Sequence, residues 1–121
     1  MAYVSLHAYS QMWMMPWAYT LQKSPDYDEL MALLKQITER VRGLYGESYS
    51  YGSMSSMLYT ATGSSVDWVY KELKVKRSLL VELRDRGKRG FLLPSDQIEP
   101  TGEELFEALR VIVDDIKKDV K

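Results

Sequence analysis

Two stretches of the chain have the hydrophobic pattern of β-strands. Apolar and polar residues alternate from Tyr3 to His7, which predicts a strand with the histidine at its carboxyl end. Val75 to Leu83 predicts a second strand, in which Leu79 to Val81 form an unbroken apolar run typical of burial on both faces. Glu82 interrupts that run near its end.

Two longer stretches have apolar residues at helical spacing. The first follows Ser24, where a capping side chain precedes a proline and acidic residues, and we expect it to end near Gly43. The second begins at Thr101 and Glu104, which are spaced as a capping box. The order strand, helix, loop, strand, helix predicts an α/β fold with a parallel or mixed sheet and helices on its faces.

The segments between these elements have no sustained periodicity. Residues 45–65 are rich in Gly, Ser, Thr and Tyr, which predicts an ordered but irregular loop, after which Ser64 or Ser65 can cap a short helix. Tryptophan and methionine dominate the belt from Met12 to Trp17. Because these side chains bury large areas and fill irregular gaps, we expect the belt to be core rather than a set of ligands.

Composition narrows the classes of partner. The chain has 121 residues, 45% of them hydrophobic, which is enough for one domain. Its 16 basic and 17 acidic residues nearly balance, so we expect no nucleic-acid partner, and its apolar runs are too short to predict a membrane partner. Without cysteine, a zinc site would have to use histidine or carboxylate ligands.

The candidate chemistry lies where the predicted strands end. Ligands of open α/β sheets bind beyond the carboxyl ends of the strands, where His7 and Glu82 are both expected. Partial burial would raise the pKa of Glu82 towards the range of a general base. The alternative is that Glu82 forms an ordinary ion pair with Arg84 or Arg86.

Other polar residues allow more than one interpretation. His7 is either a hydrogen-bonded structural residue or a metal ligand, and zinc usually needs further protein ligands. Tyr59 lies in a segment where a mobile phenol could reach a ligand. The basic residues are expected to lie on solvated faces: Lys74, Lys76, Arg77, Arg84, Arg86, Lys88 and Arg89.

Four stretches follow one another along the chain: SLHAYSQMWMMPWAY (5–19), LYTATGSSVDWVY (58–70), VELRDRGKRGFLLPSDQI (81–98) and PTGEELFEAL (100–109). In this order and at these separations they resemble the zinc metallocarboxypeptidases of the pancreatic A/B type, over nearly the whole chain. The resemblance implies that residues 1–121 are the C-terminal portion of a single catalytic domain. Its fold would be the C-terminal part of a mixed, mostly parallel sheet with helices packed on its faces.

The resemblance also implies roles for individual residues. His7 matches the third zinc ligand, and Glu82 matches the general base that activates the zinc-bound water. The matching substrate-binding positions are Ala8, Tyr9, Tyr59 and Val66, of which Tyr59 closes over the substrate and Val66 lies at the bottom of the specificity pocket. Valine at that position implies an A-type enzyme that releases apolar or aromatic residues from the C-terminus of peptides or proteins. Secretion is implied as well.

The departures from the family pattern limit what we expect of this chain. His7 supplies one of the three expected protein ligands of Zn²⁺, and the H-x-x-E motif of the other two is missing. We therefore expect the partial domain to be inactive alone, and its sheet to have an unpaired edge beside Leu79 to Val81. The alternative is a non-catalytic interaction protein that retains part of the fold. Non-proline cis peptide bonds are implied at Ala8-Tyr9, Pro16-Trp17 and Arg84-Asp85.

Overall fold

The computed structural model of the protein describes residues 1–120, which form one mixed sheet and the helices that cover it. The strands are β1 (Ala2–Ala8), β2 (Met12–Met15), β3 (Ser50–Ser53) and β4 (Arg77–Leu83). The helices are α1 (Tyr27–Tyr45), α2 (Met54–Met57), α3 (Ser65–Glu72) and α4 (Ile98–Lys117), the last preceded by a 3₁₀ turn at Ser95–Gln97. This arrangement confirms the predicted α/β class.

The strand order is β1-β4-β2-β3. β1 runs parallel to β4 and β2 runs parallel to β3, whereas β2 and β4 are antiparallel. The sheet is therefore mixed, with more parallel than antiparallel pairs. β4 lies in its interior, and β1 is the edge strand next to it.

Two of these strands correct the sequence prediction. β2 lies in the belt that was predicted only as core, and β3 lies in residues 45–65, which were predicted as an irregular loop but also contain α2. Each of these strands has four residues and no clear alternation of apolar and polar side chains. Their extended conformation depends on pairing with neighbouring strands, which local sequence patterns do not encode.

The alternation of side chains along β4 separates two apolar clusters. Leu79 and Val81 face α1 and α4 in the main core, whereas Leu80 faces a smaller cluster with Met14 and Val66. The predicted burial on both faces is confirmed, because the residues from Leu79 to Val81 are at most 7% exposed. The belt is also largely core, as predicted.

The helix boundaries confirm two of the predicted helices and correct one detail. α1 ends two residues beyond Gly43, and Gly46 follows it in the left-handed conformation with φ of 77°. The capping-box assignment is wrong, because α4 already begins at Ile98. The Thr101 hydroxyl donates a hydrogen bond to the carbonyl of Gln97 at 2.6 Å, one helical turn earlier. No helix within residues 1–120 is long and apolar enough to cross a membrane.

Two arginines that were expected on solvated faces are buried at the two ends of β4. Arg77 is 4% exposed and forms ion pairs with Asp115 at 2.7 Å and Asp119 at 2.5 Å, which lie at the end of α4 and just beyond it. Arg84 is 7% exposed and donates two hydrogen bonds to the carboxylate of Glu104, at 3.0 and 2.5 Å. These ion pairs attach both ends of β4 to the segment that begins with α4.

The Arg84–Glu104 pair is expected to be essential to stability. Replacing Glu104 with Gln should lower the free energy of unfolding by about 3–5 kcal/mol, because it leaves the buried charge of Arg84 without its counter-charge. Urea unfolding followed by circular dichroism measures this change. Asp114→Asn is the matched control, since it breaks an exposed pair with Lys117 and should cost less than about 1 kcal/mol. Equal effects of the two variants would contradict the prediction.

Candidate active site

His7 and Glu82 lie directly opposite each other on neighbouring strands. The parallel register pairs His7 of β1 with Glu82 of β4, so their side chains project from the same face of the sheet. Neighbouring strands are about 4.8 Å apart, which places the imidazole and the carboxylate in one local environment. Both residues lie near the carboxyl ends of their strands, the position where open α/β sheets bind ligands.

Glu82 has the environment of an isolated acid. Burial raises the pKa of its carboxyl group above the usual value, and the positive charge that His7 can carry opposes part of this rise. Its Oε2 atom is buried and has no hydrogen-bond partner among residues 1–120. The alternative of an ion pair with Arg84 or Arg86 is wrong, because Arg84 binds Glu104 and Arg86 donates to the carbonyl of Ser48.

Ser5 is a neighbour of His7 that the sequence interpretation missed. Its hydroxyl lies 2.9 Å from Nε2 of His7, within hydrogen-bond distance. The two residues are two positions apart on one strand, so both project from the same face, and this spacing was the available signal. Because Nε2 contacts the hydroxyl of Ser5, Nδ1 is the ring nitrogen that remains free to bind another group.

The donor set near His7 is smaller than a zinc site requires. Structural and catalytic zinc sites usually have three or four protein ligands. Within residues 1–120, no three histidine or acidic side chains lie close enough together to hold a metal ion. The described part of the chain therefore does not fit zinc as a complete site, and it supplies His7 as a single imidazole.

An apolar cluster adjoins the polar pair on the same face of the sheet. Leu80 precedes Glu82 by two residues and packs with Met14 and Val66. Val66 is completely buried, so it lies beneath the surface of this face, covered by flexible side chains that include Met54. Sequence reasoning did not identify Met14 or Leu80 as neighbours of Val66, because strand pairing places Met14 beside Leu80 and the packing of α3 on the sheet adds Val66.

Two hydrogen-bonded contacts hold Val66 in this position. The carboxylate of Asp67 accepts hydrogen bonds from the backbone N–H of Ala18, at 3.0 Å to each oxygen, and from that of Tyr19 at 3.2 Å. Burial raises the pKa of Asp67, and these backbone donors oppose the rise. The hydroxyl of Ser78 donates to the carbonyl of Val66 at 2.8 Å. The start of α3 is thereby attached both to β4 and to the segment after β2.

Ala8 is the last residue of β1 and Tyr9 follows it, so both lie at the same end of the sheet as His7. The ring of Tyr9 packs edge to face on Phe91, with centroids 5.0 Å apart. A Cβ atom at Gly90, where φ is 59°, would lie 3.0 Å from the Tyr9 ring, so glycine permits this close approach. The expected cis peptide bonds are present at Ala8-Tyr9, Pro16-Trp17 and Arg84-Asp85.

Tyr59 lies apart from the other candidate residues. It belongs to the loop between α2 and α3 and is 73% exposed. Its hydroxyl forms no hydrogen bond with any residue in the described range of 1–120. The structure therefore brings His7, Glu82 and the cluster around Val66 to one face and leaves Tyr59 on a surface loop.

Comparisons with known proteins agree on one family. The zinc carboxypeptidase family profile matches residues 1–108. Carboxypeptidase A1 from Mus musculus is 44% identical to this chain, over 93% of this chain and 27% of the relative. Carboxypeptidase B from Astacus astacus is 41% identical, over 95% of this chain and 38% of the relative. The structure of bovine thrombin-activatable fibrinolysis inhibitor in complex with tick carboxypeptidase inhibitor superposes with a TM-score of 0.94 and 39% identity, over 98% of this chain and 40% of that chain. The chain spans less than half the length of each.

The burial of Glu82 predicts a pH-dependent cost to stability. Because its folded-state pKa is raised, the ionised carboxylate opposes folding, and this cost appears as the pH rises from the unfolded-state pKa through the folded-state value. In a chelating buffer, Glu82→Gln should therefore stabilise the fold at pH 7 relative to the parent, and this gain should shrink as the solution is acidified. Urea unfolding across this pH range tests the prediction. Glu39→Gln, on the exposed face of α1, controls for the loss of one charge, and a similar pH-dependent gain in that variant would refute the interpretation.

Proposed function

Since this chain belongs to the zinc carboxypeptidase family, we propose that it forms the C-terminal portion of the catalytic domain of a metallocarboxypeptidase. The observation that carries the proposal is the register of β1 and β4, which places His7 opposite Glu82 on one face of the sheet. The family match supports the reaction class, and the site geometry supports the assignment of these two residues. The whole protein would hydrolyse the C-terminal peptide bond of peptides or proteins.

Glu82 would act as the general base in this reaction. A raised pKa brings a carboxylate closer to neutral pH, where proton transfer is efficient. Its Oε2 atom is buried and unpartnered among residues 1–120, so the other carboxylate oxygen of this half-buried residue would accept a hydrogen bond from a water molecule. Glu82 would take a proton from this water as the oxygen attacks the scissile carbonyl carbon, and would pass the proton to the amine as the C–N bond breaks.

His7 would contribute one ring nitrogen to a zinc site whose other protein ligands come from outside this chain. Ser5 would hold the imidazole in orientation through the contact with Nε2, since partners of this kind orient metal-binding histidines. Because a single imidazole does not retain zinc tightly, residues 1–121 would be inactive alone. In the whole protein, Ala8, Tyr9 and Tyr59 would contact the substrate.

The proposed substrate class is a peptide with an apolar or aromatic C-terminal residue. Relatives named carboxypeptidase A1 and carboxypeptidase B match this chain with similar identity, so the assignment depends on the local chemistry at Val66. Val66 packs with Met14 and Leu80, and these apolar groups would favour a substrate side chain without charge. The flexible methionines of this cluster could shift to admit such a side chain. Secretion is proposed from the family alone.

Substitution of Glu82 tests the catalytic proposal in the full-length protein. With a blocked dipeptide ending in phenylalanine, Glu82→Gln should lower kcat by about 10²- to 10⁴-fold and leave the zinc content unchanged. His7→Ala should lower the zinc content itself, measured by elemental analysis after dialysis. Glu39→Gln serves as the exposed control and should keep both properties. Unchanged kcat in Glu82→Gln would contradict the base assignment, and an inactive parent protein that still binds peptides would favour the non-catalytic interaction protein.

Substitution of Val66 tests the specificity proposal separately. Val66→Asp should shift the ratio of kcat/KM values from substrates ending in phenylalanine towards substrates ending in lysine or arginine, because a carboxylate would pair with the cationic side chain. The ratio for two substrates is independent of the fraction of correctly folded enzyme, which matters at a buried position. Val66→Thr is the control without charge and should not favour basic substrates. A ratio that stays at the parent value in Val66→Asp would exclude Val66 as the determinant.

A further inference from the structure

A cleft lies at the end of the sheet opposite His7 and Glu82. It has a volume of 340 Å³, and its lining includes Trp17 and Lys76. Trp17 follows the carboxyl end of β2, whereas Lys76 precedes the amino end of β4, and these two strands are antiparallel. Both residues therefore lie beyond the ends of these strands, at the end of the sheet that is remote from the candidate active site. A volume in this range suits a small organic ligand.

Aromatic rings form the wall of this cleft. The ring of Trp17 packs edge to face on Tyr70, with centroids 4.9 Å apart, and on Tyr19 at 5.2 Å. These contacts hold the three rings in fixed relative orientations, so a ligand that binds there does not have to order them. Tyr19 is 49% exposed, which leaves ring surface open to a flat apolar group.

The lining of the cleft contains three lysines and one acidic residue, Asp26, so its net charge is positive. Lys76 forms ion pairs with Glu29 and, at 3.8 Å, with Asp26. Lys71 and Lys74 line the same cleft, and the side chains of both have no ion-pair or hydrogen-bond partner within residues 1–120. Two ammonium groups are thus free to bind an anion next to the aromatic wall.

Lys74 lies at the turn that ends α3. Lys74 follows the end of α3 and has φ of 55°, a left-handed conformation that glycine or asparagine usually adopts after a helix. Glycine would adopt this backbone conformation more readily, but lysine places a positive charge at the rim of the cleft.

We propose that this cleft binds a small aryl anion, a flat aromatic ring that bears a sulfonate, sulfate or carboxylate group. The ring lies against Trp17, Tyr19 and Tyr70, and the anionic group binds Lys71 and Lys74. Neither part is sufficient alone, because exposed ion pairs are weak and screened by salt, and the rings by themselves do not select an anion. The inference is independent of the proposed peptidase function, since the two sites share no residue.

Isothermal titration calorimetry of the full-length protein with naphthalene-2-sulfonate tests the proposal. The parent protein should bind this probe, and inorganic sulfate should bind about tenfold more weakly because it lacks the ring. The double variant Lys71→Glu/Lys74→Glu should weaken binding by about tenfold or more. The matched control Lys88→Glu/Arg89→Glu makes the same change in net charge in the loop after β4, at the opposite end of the sheet. It should leave the affinity for the probe unchanged.

The contribution of the aromatic wall is measured separately from that of the lysines. Tyr19→Leu should weaken binding of the naphthalene probe and leave the weak binding of sulfate unaltered. The proposal is overturned if the probe does not bind, if both double variants weaken it equally, or if only the control pair does. It is also overturned if sulfate binds as tightly as the probe. Peptidase activity is not measured in these titrations, so a failure of the proposed function would leave their outcome unaffected.

Discussion

The parallel pairing of β1 with β4 is the interaction on which the rest of the candidate site depends. Seven consecutive residue pairs join these strands, and the register sets which side chains face each other. A shift by one residue would turn every side chain of β1 to the opposite face, so that His7 would point towards the main core and away from Glu82. The apolar residues of β4 stabilise the observed register, because Leu79 and Val81 must remain against α1 and α4.

The charged residues near the end of β4 differ in whether they have a partner of opposite charge. Arg84 and Glu104 are both buried and fully paired, so their charges stabilise the fold only as a unit. Glu82, two residues before Arg84, is partly buried and has an oxygen without a partner among residues 1–120. Because the nearby arginines bind other groups, the carboxylate of Glu82 forms no ion pair with either of them.

Sequence patterns predicted the long elements well and the short ones poorly. β1, β4 and α1 were recognised because their own residues carry the periodicity of a strand or an amphipathic helix. β2 and β3 were missed because four-residue strands carry too little periodicity, and only their neighbours in the sheet make them extended. The capping-box prediction failed because the spacing of Thr101 and Glu104 has a second explanation, in which Glu104 is the buried partner of Arg84.

The sequence by itself determined the family, the two long strands and the placement of His7 and Glu82 near strand ends, because these depend on local residue types and on motifs in a fixed order. The tertiary structure alone decided that the two residues face each other, that Arg84 binds Glu104 and not Glu82, and that Val66 packs with Met14 and Leu80. The physical reason is that periodicity records which side of an element is buried, whereas the partner of a buried group is selected by strand register and helix packing. Those contacts join residues that are far apart along the chain.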